Sequence, residues 1–189
     1  MIRKATFQDR AKIIEILVSS FQDNLSIKYV LKRENGKKAI GALMSYSFDV
    51  CMKFGEVLIT ENREACALLL FSEKKKTIIK WDIKLALRAI GLNRIFKVLS
   101  RESKIKSKHP NRPYLYLWFI GVDPKKQKCG YGSILLNKVI EISDANGLDI
   151  FLETSTKSNI PWYLKNGFEI YDKLYFDYTL SLLRKKAVS

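Results

Sequence analysis

The sequence predicts an α/β fold, in which strands and helices alternate along a chain of 189 residues. Two kinds of segment support this prediction. Apolar runs at 65–71, 114–122 and 149–153 have the length of buried strands, and 114–122 is dense in β-branched and aromatic residues. Segments at 13–21 and 37–54 instead repeat their apolar residues at helical spacing. The composition, 47% hydrophobic and 28% charged, is that of a globular protein rather than a disordered or fibrous one.

The first part of the chain is expected to form a short strand, three helices and an antiparallel pair of strands. In that order, these elements are predicted at residues 2–5, 6–21, 26–33, 37–54, 57–60 and 65–71. Thr6 or Asp9 can cap the first helix, because both side chains accept hydrogen bonds from free backbone N–H groups. We expect Gly36 to end the second helix. The polar residues 61–63 predict a hairpin turn between the two strands.

The segment 74–112 stands apart because of its charge. It holds 13 basic residues and two acidic ones, so it carries most of the formal net charge of +15. Its apolar residues keep helical spacing, which predicts one long basic amphipathic helix or two helices broken at Gly91. An ordinary solvated helix face explains most of the individual lysines.

The last part of the chain predicts a buried strand, a helix, a second buried strand, a short helix and a final pair of strands. In that order, they are expected at 114–122, 132–145, 149–153, 161–166, 168–174 and 176–182. Gly147 is placed to cap the first of these helices, and Gly167 closes the short one. Pro161 suits the start of a helix, where its missing N–H has no intrahelical partner to lose.

The charge and the reactive residue types limit the classes of function. A net charge of +15 and a pI near 9.7 favour an anionic partner: a nucleotide, a nucleic acid, a membrane surface or an acidic substrate. Three dispersed cysteines and a single histidine, His109, argue against a disulfide framework, a zinc centre and a Ser-His-Asp enzyme. We interpret His109 as a surface histidine of a basic loop. The cysteine usage and the lack of an apolar signal sequence favour the cytoplasm.

A glycine-containing turn between a buried strand and a helix carries the strongest chemical signal. Gly130 and Gly132 permit a sharp turn and a close approach of ligand to backbone. The helix that follows offers free N–H groups, which can bind a phosphate or pyrophosphate. Leu135 stands where the dinucleotide fingerprint needs its third glycine, and no Gly-Lys-Ser/Thr of a P-loop is present. By itself, the pattern is also compatible with a simple tight turn.

A second pattern follows the strand at 149–153. Asn159 and Tyr163 lie one helical turn apart, a spacing that a helix cap and a packing residue would also explain. Together the two patterns resemble the GNAT N-acetyltransferase superfamily. The family's motif Gln/Arg-x-x-Gly-x-Gly/Ala is matched by Gln127-Lys128-Cys129-Gly130-Tyr131-Gly132, and its later pattern Asn-x-x-x-Tyr-x-x-x-Gly-Phe by Asn159, Tyr163, Gly167 and Phe168.

The resemblance is strongest over 114–168, and it implies a fold and a co-substrate. The fold would be a mixed, mostly antiparallel sheet of six or seven strands that splays in the middle and is flanked by helices. Residues 1–189 would form one domain, with the basic helical insertion 74–112 between the third and fourth strands. Acetyl-CoA would bind in the splay as co-substrate, without a metal. The residues implied in binding it are Ile120, Val122, Gln127, Lys128, Cys129, Gly130, Tyr131, Gly132, Ser133 and Asn159.

The resemblance also implies catalytic roles. Tyr163 would act as general acid toward the leaving thiolate. The base that takes the amine proton is not given by either motif, and Glu153, at the end of the second buried strand, is the leading candidate. An ordinary solvated carboxylate explains Glu153 equally well. Asp123 is better explained as a cap of the turn before Pro124, and the thiol of Cys129 as incidental.

The resulting hypothesis is an acetyl-CoA-dependent N-acetyltransferase that acts on the primary amine of a small molecule, with the 74–112 helix shaping the acceptor pocket. Two alternatives stay open: acetylation of a protein N-terminus or lysine, and a non-catalytic CoA-binding, nucleic-acid-binding or membrane-binding module. We expect no transmembrane segment and no nucleic-acid partner, and a homodimer stays open.

Overall fold

The computed structural model describes residues 1–31, 36–74, 85, 89–91 and 94–188. Seven strands form one sheet in the order β1-β2-β3-β4-β5-β7-β6. The strands are β1 (Ile2–Lys4), β2 (Gly55–Thr60), β3 (Ala65–Phe71), β4 (Leu115–Val122), β5 (Ile150–Thr154), β6 (Glu169–Tyr175) and β7 (Thr179–Lys185). The helices are α1 (Arg10–Phe21), α2 (Leu25–Val30), α3 (Gly36–Phe54), α4 (Ile95–Lys106), α5 (Tyr131–Asn146) and α6 (Ile160–Lys165).

All neighbouring strands are antiparallel except β4 and β5, which run parallel. A helix links these two strands, as a parallel connection requires. The sheet is therefore mixed and mostly antiparallel, and helices cover it on both sides, as the sequence predicts. Helix α4 lies between β3 and β4, inside the segment predicted as an insertion.

Apolar side chains pack on both faces of the sheet. Helices α1 and α3 cover one face, where Ile13, Leu17, Met44 and Phe48 are fully buried. Helices α5 and α6 cover the other face through the residues Leu135, Leu136, Val139 and Tyr163. Strand β3 is buried along its whole length because both layers pack on it. Alternation along a strand consequently sends neighbouring side chains to different layers.

Two predictions about the helices are wrong. Gly36 does not end the second helix: α2 stops at Val30, and Gly36 is the first residue of α3. The basic helix does not continue to residue 112, because α4 ends at Lys106 and a loop follows. Pro110 disfavours helical backbone at the preceding residue, which explains the early end. Gly91 has a φ of +83°, consistent with the predicted break, while residues 75–84, 86–88 and 92–93 lie outside the described residues.

The N-terminal part of the chain is held by a buried carboxylate. Asp9 is almost completely buried and accepts two hydrogen bonds from the Arg3 guanidinium, at 2.7 and 2.8 Å. The backbone N–H of Thr6 donates a third at 2.9 Å. Chiefly because of Arg3, and despite burial, the pKa of Asp9 lies well below its ordinary value. The ionised carboxylate therefore stabilises the folded state fully at pH values above the pKa that Asp9 has in the unfolded chain. This stabilisation is lost as the pH falls from there toward the lower pKa of the folded state.

We expect Asp9→Asn to lower the free energy of unfolding at pH 7 by about 2 kcal/mol, the scale of hydrogen bonds to a charged group. The deficit should shrink below about pH 4, where the carboxylate of the unfolded wild-type chain becomes protonated. Urea unfolding of both proteins at pH 7 and pH 2.5 measures it. An equal deficit at both pH values would show that Asp9 acts through packing rather than charge.

No helix in the described ranges is long and apolar enough to cross a membrane.

Candidate active site

Strands β4 and β5 separate after a short parallel contact. Leu115 pairs with Ile150 and Tyr116 with Phe151, and the two strands, both fully described, have no further pairs. Strand β4 stays bound to β3 along its other edge, but it carries Trp118 as an extra residue where the register shifts. Such a bulge bends a strand. The result is a V-shaped gap in the middle of the sheet, as the family resemblance implies.

The predicted pantetheine-binding residues lie on the β4 side of this gap. Ile120 and Val122 are partly buried and pair with β3, not with β5. The carbonyl oxygen of Val122 also accepts a hydrogen bond from the hydroxyl of Ser20 on α1, at 2.8 Å. Apart from that carbonyl, backbone groups of β4 beyond Tyr116 have no strand partner among the described residues on the β5 side, and an extended ligand could add there like a further strand.

The predicted pyrophosphate loop turns sharply before α5. Gly130 has a φ of +83° and precedes the first residue of the helix, and Lys128 also has a positive φ of +64°. Gln127, Lys128 and Cys129 are exposed. The N–H groups of the first turn of α5 cannot bond within the helix, because no preceding carbonyl is in reach. The sequence prediction of a tight, basic, glycine-dependent loop at a helix start is confirmed.

Several side chains of this loop are already engaged by the protein. The Tyr131 hydroxyl accepts a hydrogen bond from the Asn62 side chain, in the β2–β3 turn, at 2.7 Å. The Ser133 hydroxyl accepts one from the indole N–H of Trp162 at 3.1 Å. The Cys129 thiol lies 3.6 Å from the Gln127 carbonyl oxygen. Backbone N–H groups, rather than these side chains, are thus the better candidates for ligand contacts.

The two residues of the later motif lie in different environments. Asn159 is exposed, directly before α6, and its side chain makes no capping hydrogen bond. Tyr163 is buried, and its ring contacts those of Trp162 and Phe168, with centroids 4.7 and 5.5 Å away. Burial raises the pKa of the Tyr163 hydroxyl, so this group stays protonated at neutral pH.

Glu153 and His109 form a buried pair that the sequence did not predict. His109 Nε2 lies 2.8 Å from Glu153 Oε1, and the Tyr116 hydroxyl donates to Glu153 Oε2. The His109 and Glu153 side chains are only 6% and 7% exposed. His109 is therefore not a surface histidine, and Glu153 is not a solvated carboxylate. Burial and the neighbouring Glu153 charge raise the pKa of Tyr116 well above its ordinary value, which keeps its hydroxyl a donor.

Aromatic rings hold the histidine in place. The His109 ring stacks on Tyr114 with centroids 5.1 Å apart and an interplanar angle of 8°. Its edges contact Tyr116 and Phe151. The contact between His109 and Glu153 joins residues 44 positions apart, so no local periodicity could have indicated it. Two features of the sequence could have drawn attention to the pair: Glu153 is a charged residue at the end of a buried strand, and His109 is the only histidine in the chain.

Glu153 and Tyr163 belong to opposite layers of the sheet. Ile150 and Leu152 pack in the same layer as Tyr163. Because side chains alternate along a strand, Glu153 faces the other way, toward His109 and Tyr116. A group bound between β4 and β5 would have a carboxylate on one side and a protonated phenol on the other.

A pocket of about 520 Å³ lies between α2, α4 and the β6–β7 turn. Its lining includes Leu25, Ile27, Tyr29, Arg94, Lys97 and Tyr178. The Tyr178 hydroxyl accepts from Arg101 at 2.9 Å, and Arg101 also donates to the Ser26 hydroxyl. The Ser26 N–H in turn donates to the hydroxyl of Ser155, two residues beyond Glu153. The pocket is thereby linked to the end of β5.

Asp123 caps the turn before Pro124, as predicted: its carboxylate accepts from the Lys125 N–H at 3.0 Å.

Comparison with known proteins agrees with this architecture. The family model described as Acetyltransferase (GNAT) family matches residues 88–168. An uncharacterized N-acetyltransferase of Schizosaccharomyces pombe is 31% identical over 99 residues, which are 50% of this chain and 40% of that protein. The chain therefore spans well under half the length of this curated relative.

Two solved structures share the fold over nearly their whole length. One is described as histone acetyltransferase HPA2 and related acetyltransferase from Corynebacterium glutamicum, with a TM-score of 0.71, 17% identity and coverage of 100% of this chain and 97% of that one. The other is arylalkylamine N-acetyltransferase 2 from Aedes aegypti, with a TM-score of 0.69, 15% identity and coverage of 100% and 99%. Residues 88–168 are thus similar to the GNAT family of acetyltransferases, and the splayed sheet has the fold of these solved acetyltransferases.

Proposed function

We propose that the chain is an acetyl-CoA-dependent N-acetyltransferase that transfers an acetyl group directly to the primary amine of a small molecule. The observation that carries the proposal is the gap between β4 and β5, which opens beside the glycine loop at the start of α5. An extended pantetheine arm fits an unpaired strand edge, and a pyrophosphate fits the free N–H groups of the helix. Lys125 and Lys128 add positive charge nearby, whereas Lys126 forms an ion pair with Glu64 at 2.8 Å.

The chemistry asks little of the protein beyond positioning. Acetyl-CoA supplies a thioester, whose carbonyl carbon is already electrophilic. Glu153 takes a proton from the acceptor ammonium group, so that the neutral nitrogen can form the new C–N bond. Tyr163 donates its hydroxyl proton to the sulfur as the C–S bond breaks, and the second proton, which the nitrogen releases as the amide forms, restores the tyrosine hydroxyl through solvent. Because the two side chains belong to opposite layers of the sheet, the amine and the thiol can occupy opposite sides of the acetyl group.

The pocket favours a small acceptor. Its volume of about 520 Å³ lies within the range of small-molecule sites, and six of the twelve described residues that line it are apolar or aromatic. None of its described lining residues lies on β5, but hydrogen bonds from Tyr178 to Ser26 and from Ser26 to Ser155 join its wall to the residues that follow Glu153. The structural relatives include one named for histone acetylation and one for arylalkylamines, so their names do not decide between a protein and a small acceptor.

Calorimetric titration with acetyl-CoA, with free CoA in parallel, tests the co-substrate site. We expect a dissociation constant in the micromolar range, about the concentration at which enzymes commonly bind substrates. Panels of small amines and of peptides then test the acceptor by release of CoA. Binding without transfer to any acceptor would favour a CoA-binding module. No binding by the folded chain would contradict the proposal.

Tyr163→Phe tests the general acid. We expect kcat to fall by about 10²-fold, because the leaving thiolate loses its proton donor, while the affinity for acetyl-CoA changes little. The substitution removes one oxygen atom and keeps the ring contacts with Trp162 and Phe168. Steady-state kinetics and calorimetry on the same preparation measure both quantities. An equal loss of affinity would mean that Tyr163 packs rather than donates a proton.

A matched control is Tyr175→Phe, at an exposed residue on β6. It should leave both kcat and acetyl-CoA affinity unchanged.

A further inference from the structure

We propose that His109 is the positioning residue for Glu153, which it holds through a neutral imidazole that carries its proton on Nε2. The inference rests on the proposed function of Glu153 as the base. Its starting point is the contact between His109 Nε2 and Glu153 Oε1 at 2.8 Å, between two largely buried side chains. Together with the Tyr116 hydroxyl, this gives each carboxylate oxygen one protein donor.

The unpaired nitrogen of the ring indicates the tautomer. His109 Nδ1 is buried and has no hydrogen-bond partner among the described residues. A buried N–H without an acceptor is costly, whereas a bare ring nitrogen loses less. Meanwhile an ionised carboxylate only accepts hydrogen bonds, so the ring nitrogen facing Glu153 must be the one that donates. Both arguments place the single ring proton on Nε2.

The surroundings of the pair hold the ring in one orientation. Tyr114 stacks on it, and Tyr116 and Phe151 contact its edges. The charged and titratable groups around this cluster come from three further elements. They are Arg101 and Glu102 of α4, Lys108 of the following loop in an ion pair with Asp172 at 2.9 Å, and Tyr171 of β6, whose buried hydroxyl has no partner among the described residues.

In this proposal His109 orients the Glu153 carboxylate and does not itself transfer a proton. Two donors on two different oxygens stop the carboxylate from rotating before the amine binds. Each oxygen still has a lone pair to accept the amine proton. Loss of one donor should therefore lower kcat without weakening acetyl-CoA binding, since the proposed co-substrate contacts are backbone groups at Ile120 and Val122 and at the start of α5, not the side chains of His109 or Tyr116.

Kinetics of three variants test the role. We expect His109→Ala to lower kcat about 10- to 100-fold with the KM for acetyl-CoA unchanged. His109→Gln should recover most of the loss, because its amide can donate to the same carboxylate oxygen. Tyr116→Phe should resemble His109→Ala, since it removes the other donor. Full activity of a folded His109→Ala, in an active wild-type background, would overturn the inference alone.

Nuclear magnetic resonance of the ring nitrogens provides a readout that does not need activity. His109 is the only histidine, so ¹⁵N-histidine labelling gives one unambiguous pair of signals. At pH 7.5 we expect a protonated Nε2 and an unprotonated Nδ1, and in Glu153→Ala a mixture of tautomers. A proton on Nδ1, or a ring that does not respond to loss of Glu153, would overturn the inference even if His109→Ala failed to fold.

The two proposals fail in different ways. If the wild-type chain binds acetyl-CoA but acetylates no acceptor, Glu153 is not a catalytic base. The positioning role of His109 is then wrong as well, whichever tautomer the ring adopts. If the wild type is active and His109→Ala has the same kcat, the proposed function stands and only the role of His109 is wrong.

Discussion

Glu153→Gln is expected to lower kcat by about 10²- to 10⁴-fold, the range that general base catalysis contributes. Glutamine keeps the length of the side chain and can still accept a hydrogen bond from His109 or Tyr116 through its one carbonyl oxygen. It cannot take a proton from the acceptor amine. The affinity for acetyl-CoA should stay within about twofold of wild type, because Glu153 lies on β5 and not on the β4 edge or the glycine loop. Stopped-assay release of CoA and calorimetry measure the two effects separately.

The matched control is Glu56→Gln. Glu56 is also a largely buried glutamate on a strand of the same sheet, but it pairs with Lys4 on β1, away from the gap. The chemical change is identical, so any general effect of neutralising a carboxylate in this sheet would appear in both variants. We expect full kcat in Glu56→Gln. A kcat for Glu153→Gln within twofold of wild type would mean that another group, or bulk water, takes the amine proton.

Gly130→Val is expected to weaken acetyl-CoA binding at least about 100-fold, as loss of hydrogen bonds to a charged group implies. A β-branched residue at a φ of +83° is strongly disfavoured, so the loop must change its conformation. The free N–H groups of the first turn of α5 would then no longer converge on one point. Calorimetric titration with acetyl-CoA measures the loss directly.

Gly147→Val is a close control for the backbone strain. Gly147 caps the opposite end of the same helix, with a φ of +61°. In both positions an added Cβ meets no other atom within 4 Å, so the penalty is backbone conformation rather than a clash. Both variants should lose stability, but only Gly130→Val should lose acetyl-CoA affinity. Equal affinity of the two variants for acetyl-CoA would show that the glycine loop does not bind the pyrophosphate.

Much of the fold could be predicted from local patterns. The alternation of helical and strand periodicity located all seven strands to within a few residues, and glycines marked the ends of α5 and α6 through positive φ values. These features depend on residues close in the chain, whose conformational preferences act locally. The end of the helix at Lys106 was missed because the predicted segment was bounded by its basic residues, which continue to Arg112, whereas Pro110 disfavours helical backbone before it.

In the candidate site, too, the local motifs could be predicted from the sequence and the long-range contacts could not. The glycine loop and the later motif are short stretches of chain, and the sequence by itself determined them, along with the family they resemble. Only the tertiary structure decided where β4 leaves β5, and that Glu153 is buried against His109 and Tyr116 instead of being solvated. Those contacts join residues 37 and 44 positions apart. Their energies depend on burial and on the geometry of several packed elements, which no spacing within one segment encodes.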